Sequence, residues 1–388
     1  MRSRRVAQLS VVPSRAGRDE ALALARTLPP PGPVPGRYWK IDLTKLALEQ
    51  VEPGSVTSRF ALSDEAKRKG VIATDLGSAS REHEAVITAT EGNAVDWRSG
   101  RFTALNAARR ENGAFIFLPK GVVIEEPIVV TQRLEGPAAF PYVLVAASEG
   151  SRATIITRYE AAPDLELVSE IVEIVALEHA SITYSAVQDL PANVRVFWSR
   201  RGNVGRDAEL NWALAELGAG VSIGDVKSTT LEAGARTTIA GLFFPNKGQH
   251  VDLQSEADHP AGKTQSETIF KSAAIDGGQA RFIGNIRIRP SAHGVDATLR
   301  DDALLLSKDS HIDSIPALEI GANDVKAFHG ATIGAIDDEE LFYAMSRGID
   351  RHEAERMIAL GFFEPALVRF PTERLREELR GALAGKIA

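Results

Sequence analysis

Ser181-Ile182-Thr183-Tyr184-Ser185-Ala186 alternates polar and apolar side chains without a break. A strand points successive side chains to opposite faces, so this pattern gathers Ile182, Tyr184 and Ala186 on one side. The alternation returns at Leu210, Trp212 and Leu214 among Glu209, Asn211 and Ala213. It returns again at Phe282, Gly284, Ile286 and Ile288 beside Arg281, Asn285, Arg287 and Arg289. From Phe115 to Ile320 such runs recur about every ten residues, punctuated by Gly, Pro, Asp or Asn. Nothing there has an apolar 3.6-residue period long enough to supply crossover helices, which disfavours a doubly wound α/β sheet. A β-sandwich and a parallel β-helix remain. A sandwich needs clear hairpin reversals, whereas two-residue Asn-Gly or Asp-Gly signals are scarce, and the even spacing favours the β-helix.

On either side of these runs the pattern becomes helical. Asp19 to Leu28, Asp64 to Lys69 and Phe102 to Arg110 are expected helices, and the run Pro29-Pro30-Pro31-Gly32-Pro33-Val34-Pro35-Gly36 reads as an extended connector. The basic start, Met1-Arg2-Ser3-Arg4-Arg5, reads as a loosely attached end, because no amphipathic helix of the transit-peptide kind precedes Asp19 and Glu20. Downstream, Asp337 with Glu340 and Asp350 with Glu353 have the spacing of helix-capping pairs. Gly348 and Gly361 are the expected stops, Ala354, Met357 and Ile358 one apolar face, and a third helix starts near Thr372 with Leu375, Leu379, Ala382 and Leu383 on one side. The expected division is an α-rich segment over 1–112 with its Pro-rich linker at 29–36, a β-helix core over 113–335 and a helical domain over 336–388. The last helices have two readings: a cover for an open end of the β region, which is the simpler, or a docking surface.

Composition excludes several classes of function. The 388 residues carry a formal net charge of -7, which gives no general attraction to nucleic acid or acidic lipid. No apolar run approaches the roughly 20 residues of a membrane-spanning helix. The chain has no cysteine, so it offers no disulfide, thiolate nucleophile or Cys-held cluster of its own, and a reducing cytoplasmic setting is expected.

Two phosphate-binding motifs fail. Ala257-Asp258-His259-Pro260-Ala261-Gly262-Lys263-Thr264 ends like a P-loop, but Ala257 replaces the first Gly and the following Gln265 to Ala274 reads as strand. Gly218-Ala219-Gly220-Val221-Ser222-Ile223-Gly224 has Ile223 where a dinucleotide loop needs Gly. No ATP site is therefore expected on this chain. His250, Asp252, Asp258 and His259 are potential ligands, with His250 and Asp252 on one face of a strand, but chelation needs convergence. His329, within Asp324-Val325-Lys326-Ala327-Phe328-His329-Gly330-Ala331-Thr332, is the stronger candidate for metal ligation. Gly330 directly after it permits a turn that would present the ring at an edge.

These segments, taken in order, resemble the SufB/SufD family of iron–sulfur cluster assembly scaffolds. The likeness runs through Ala104-Leu105-Asn106, Leu118-Pro119-Lys120-Gly121, His250-Val251-Asp252, Asp258-His259, Ser266-Glu267, Phe270-Lys271 and Phe282-Ile283-Gly284. It continues through Leu304-Leu305-Leu306-Ser307, Pro316-Ala317-Leu318-Glu319-Ile320, His329-Gly330-Ala331-Thr332-Ile333-Gly334, Phe342-Tyr343 and Ser346-Arg347-Gly348-Ile349. The resemblance, closest to the SufD branch, implies a right-handed parallel β-helix core flanked by α-helical segments. It implies a non-enzymatic scaffold that pairs through the core with a Cys-bearing SufB-like paralogue and docks a SufC-like ATPase through its C-terminal helices; a homodimer is the alternative assembly, and the sequence does not decide between them. It further implies a transient iron–sulfur cluster shared with that partner, and a role in assembly for His329, as ligand or as support for one. SufD-type chains often carry Cys two residues before this His; Ala327 stands there, leaving imidazole as the contribution. Two other classes compete: a carbohydrate-active β-helix enzyme using Asp252, Glu256, Asp258 and Arg281, and a homo-oligomeric structural protein.

Overall fold

The computed structural model describes residues 15–28 and 51–387; the Pro-rich stretch at 29–36 lies outside them. Two long sheets face each other around an apolar interior. The first runs, in spatial order, β1 (Ser55–Ala61), β4 (Ile128–Glu135), β7 (Arg152–Ala161), β9 (Ser181–Gln188), β11 (Glu209–Glu216), β13 (Arg236–Phe243), β15 (Gln265–Ala274), β17 (Val295–Leu305) and β19 (Val325–Ala335). The second runs from β2 (Ile72–Asp75) through β3 (Ala114–Leu118), β6 (Tyr142–Ala147), β8 (Leu167–Ala176), β10 (Arg195–Val204), β12 (Val221–Thr230), β14 (His250–His259) and β16 (Gln279–Ile288) to β18 (His311–Ile320). A two-residue strand, β5 (Ala138–Ala139), adds to β8. Successive strands of the chain alternate between the sheets, and neighbours within each sheet pair in parallel from β4 to β19 and from β3 to β18. Ser181 sits beside Glu209, Glu209 beside Arg236 and Arg236 beside Gln265, a coil of about 30 residues of the kind solenoids repeat. The fold is a parallel β-helix with helices at both ends of the chain.

The alternation seen in the sequence decides which side chains fill the interior. Ile182, Tyr184 and Ala186 are buried on one face of β9, in register with Leu210, Trp212 and Leu214 of β11. Close packing continues where the two walls approach. A Cβ on Gly224 would lie 1.9 Å from the Trp198 ring, so that position accepts only glycine. A charged cluster is enclosed there: Arg200, buried, reaches the buried Glu216 Oε1 at 2.8 Å and Glu170 Oε2 at 2.9 Å, with its guanidinium 4.2 Å from the centre of the Trp198 ring.

Helices cover the outer faces. α1 (Arg15–Thr27) and α5 (Arg101–Arg109) lie with Leu167, Phe197 and Ile223 of the second sheet, Phe102 stacking on Phe197 at 3.8 Å. Helix α2 (Asp64–Arg68) is capped by Ser63, and α3 (Leu76–Glu82) and α4 (Glu84–Thr90) pack near Phe115, Leu144 and Ile171. At this start the direction of pairing reverses: β1 joins β4 and β2 joins β3, both antiparallel.

The last three helices begin where their caps predict. Asp337 accepts hydrogen bonds from the Glu339 and Glu340 amides at the head of α6 (Asp338–Ser346), Asp350 from Glu353 at the head of α7 (Arg351–Leu367), and Thr372 from Leu375 at the head of α8 (Glu373–Ile387). Gly361 does not end α7, which continues six residues further to Leu367. Ala359, Phe363, Ala366 and Leu367 are buried beyond Met357, and that packing outweighs the weak helix propensity of one glycine. Met357 itself faces solvent. Nor do α7 and α8 cover the end of the solenoid. Phe363, Leu367, Leu375, Leu379 and Leu383 pack along the outside of the first sheet against Ala213, Ala215, Leu242 and Phe244.

Candidate functional site

The last coil, β18 and β19, is the exposed end of both sheets. Its inward faces continue the interior: Val325, Ala327, His329, Ala331 and Ile333 stand in register with Val295, Ala297, Leu299, Asp301 and Ala303. The residues one coil earlier are buried, whereas Ile333 is 44% and Ile320 is 43% exposed, because no described element lies beyond them. Phe328, on the opposite face of β19, is 50% exposed. The interior of the solenoid therefore opens to solvent through an apolar rim with unpaired strand edges on both walls.

His329 stands in this mouth, opposite Leu299, which in turn sits opposite Thr268. The ring is partly buried, and its Nδ1 is buried without a hydrogen-bond partner. The expected turn at Gly330 does not form. His329 and Gly330 are both mid-strand, and the ring reaches an edge because β19 is the last strand of its sheet. Ala327 and Ala331 flank it on the same face, so small side chains border the imidazole on both sides.

Two residues along from Leu299, the sequence places a carboxylate on the interior face. Asp301 is fully buried, accepts a hydrogen bond from Ser314 of β18 across the interior, and has Oδ1 unpartnered. Burial pushes its carboxyl up to about 7, against the lowering effect of the Ser314 hydroxyl. Asp301 and Ser314 were not among the residues the sequence pattern singles out for function. The signal was present, since Asp301 interrupts the apolar set Val295, Ala297 and Leu299 at period two.

The other candidate ligands are engaged elsewhere. Asp252 is buried against Arg281, and burial lifts its carboxyl to about 6. Asp258 pairs with Lys227 at 2.9 Å and Arg289 at 3.0 Å, and Glu256 with Lys227 at 2.6 Å. His259 is buried among hydroxyls, 2.7 Å from Thr264 and 2.9 Å from Ser266, and burial depresses its pKa to about 4. Among the described residues no group of three His, Asp or Glu side chains could hold a metal. The carboxylates a carbohydrate-active site would use are likewise tied to cations. Residues 257–264 form the end of β14 and a turn into β15 rather than a helix N-terminus, as the failed P-loop requires.

The family profile described as "SUF system FeS cluster assembly, SufBD core domain" matches residues 129–362, which spans the solenoid from β4 to its open coil, α6 and most of α7. The chain belongs to the SufBD family. It is similar to the iron–sulfur cluster assembly protein SufD of Bacillus subtilis, at 31% identity over 346 residues, 87% of this chain and 78% of that one. It is also similar to an iron–sulfur cluster assembly SufBD family protein of Staphylococcus epidermidis, at 30% identity over 316 residues, 80% of this chain and 68% of that one. Among the described residues no helix is long and apolar enough to cross a membrane.

Proposed function

We propose that this SufBD-family chain is a cytoplasmic scaffold subunit for iron–sulfur cluster assembly. It pairs through the open coil with a Cys-bearing SufB-like paralogue and docks a SufC-like ATPase through its C-terminal helices. The observation that carries this reading is His329 at the mouth of an uncapped solenoid, rimmed by exposed Ile320, Phe328 and Ile333. Unpaired parallel edges favour addition of strands from a similar chain, and the apolar rim supplies burial on association. His329 then lies in the joint, where neutral imidazole is a competent iron ligand and the thiolates come from the partner. The cluster is cargo, formed and passed on. ATP hydrolysis belongs to the docked subunit, whose contact is expected on the exposed side of α6 and α7, at Phe342, Tyr343 and Met357.

Co-expression with a Cys-bearing paralogue and an ATPase, followed by anaerobic native mass spectrometry, tests the assembly. One copy of this chain with one paralogue and two ATPase subunits is expected. Recovery of this chain only as a free monomer or homodimer, under conditions that preserve other complexes, overturns it. In the recovered complex His329→Ala should abolish cluster formation while leaving the subunit ratio unchanged; normal assembly rates would remove His329 from the chemistry.

A further inference from the structure

Two buried polar atoms at the mouth lack partners, and they belong to side chains that neighbouring strands bring to one interior face. His329 Nδ1 is on β19, and Asp301 Oδ1 is on the neighbouring β17. Register puts Asp301 opposite Ala331, two residues beyond His329 on the same interior face. At the spacing of paired strands, the two Cα atoms are about 8 Å apart on the diagonal, a gap that an imidazole and a carboxylate close directly or through one water. Asp301 is anchored through its other oxygen by Ser314, so Oδ1 is held rather than free to swing away. Burying either atom unpaired is unfavourable, and one contact relieves both.

We infer that Asp301 is a positioning residue for His329: its Oδ1 accepts the Nδ1 proton of the ring, directly or through one water. That fixes the tautomer in which Nε2 carries the lone pair, and directs that nitrogen away from the interior towards the open end. Ligand imidazoles commonly donate their second ring nitrogen in this way, and the partner sets orientation and basicity. This inference rests on the reading of His329 as ligand or ligand support, but its test needs neither cluster nor partner.

The full chain labelled with ¹⁵N-histidine reports the tautomer of each ring by long-range proton–nitrogen correlation at pH about 8.5, with His329 assigned by its loss in His329→Gln. The expected result is protonation at Nδ1 favoured over Nε2 by about tenfold or more, the strength of one hydrogen bond to a charged acceptor. Asp301→Ala, which removes the acceptor, should erase that preference, Asp301→Asn, which keeps an uncharged oxygen acceptor, should weaken it, and Ser314→Ala, which keeps the carboxylate, should retain it. A wild-type ring protonated mainly at Nε2 overturns the inference even if no variant folds. So does an unchanged ratio in Asp301→Ala. A correct tautomer with normal cluster assembly by His329→Ala would instead refute the proposed role of His329 and leave the pairing standing.

Discussion

Replacing His259 by Gln should change how the stability of the chain depends on pH. The ring is fully buried, with Nδ1 2.7 Å from Thr264 Oγ1 and 3.1 Å from Thr230 Oγ1, and Nε2 2.9 Å from Ser266 Oγ. Burial favours the neutral ring and lowers its pKa from 6.5 to about 4, while the Asp258 carboxylate opposes the shift. Because the folded value is the lower, the unfolded chain takes up the proton first on acidification. Stability present above pH 6.5 is lost as the pH falls towards about 4, in total about 3 kcal/mol and about 2 kcal/mol of it by pH about 5. Glu91, Asp252 and Asp301 run the other way, since burial raises them to about 7, about 6 and about 7, and they add stability as they are protonated. Those contributions are common to wild type and variant and cancel in the difference. Gln keeps much of the volume and the hydrogen-bonding capacity without titrating. Denaturant unfolding of both proteins at pH about 7.5 and about 5 should show wild type losing about 2 kcal/mol more than His259→Gln. Equal losses would refute the assignment of a neutral, desolvated ring.

Arg200→Met leaves Glu170 and Glu216 enclosed without their cation and should cost about 3–5 kcal/mol, read as a lower denaturant midpoint. Phe363→Ala removes a buried ring packed 5.8 Å from Phe244 and should cost about 3–5 kcal/mol, with hydrogen exchange rising in α7 and α8 before the solenoid. Phe342→Ser with Met357→Ser, both on exposed side chains, should leave stability within about 0.5 kcal/mol and weaken capture of the ATPase; unaltered capture would move the dock elsewhere.

The period-two pattern was enough to identify strands and to choose their buried face, because a slip of one residue would turn Ile182 and Tyr184 to solvent. It was silent on which strands become neighbours, since pairing at a distance of one coil leaves no local mark. Helix starts were legible in Asp337 and Asp350, whose side chains make the capping bonds themselves. The end of α7 was not, because contacts with the sheet face decide it. For the site, chemistry was legible at His329 and context was not. The ring reaches the mouth because β19 is the last strand of its sheet, and Asp301 gains its importance from a neighbour 28 positions along the chain. The ligand-like cluster at 250–259 dissolved for the same reason: its members point to both faces, and each meets its own partners.

The two ends of the solenoid differ in direction of pairing. At the start, β1 and β2 run antiparallel to the coils they join, and β1 presents Ser55, Thr57, Ser58 and Arg59 along its length. Among the described residues, only the β18–β19 end offers parallel edges with an apolar rim. A solenoid with two such ends would add copies head to tail without limit. With one end reversed, the pairing proposed above would use up the open coil on the first partner that meets it in the same way, and such an assembly would close at two chains.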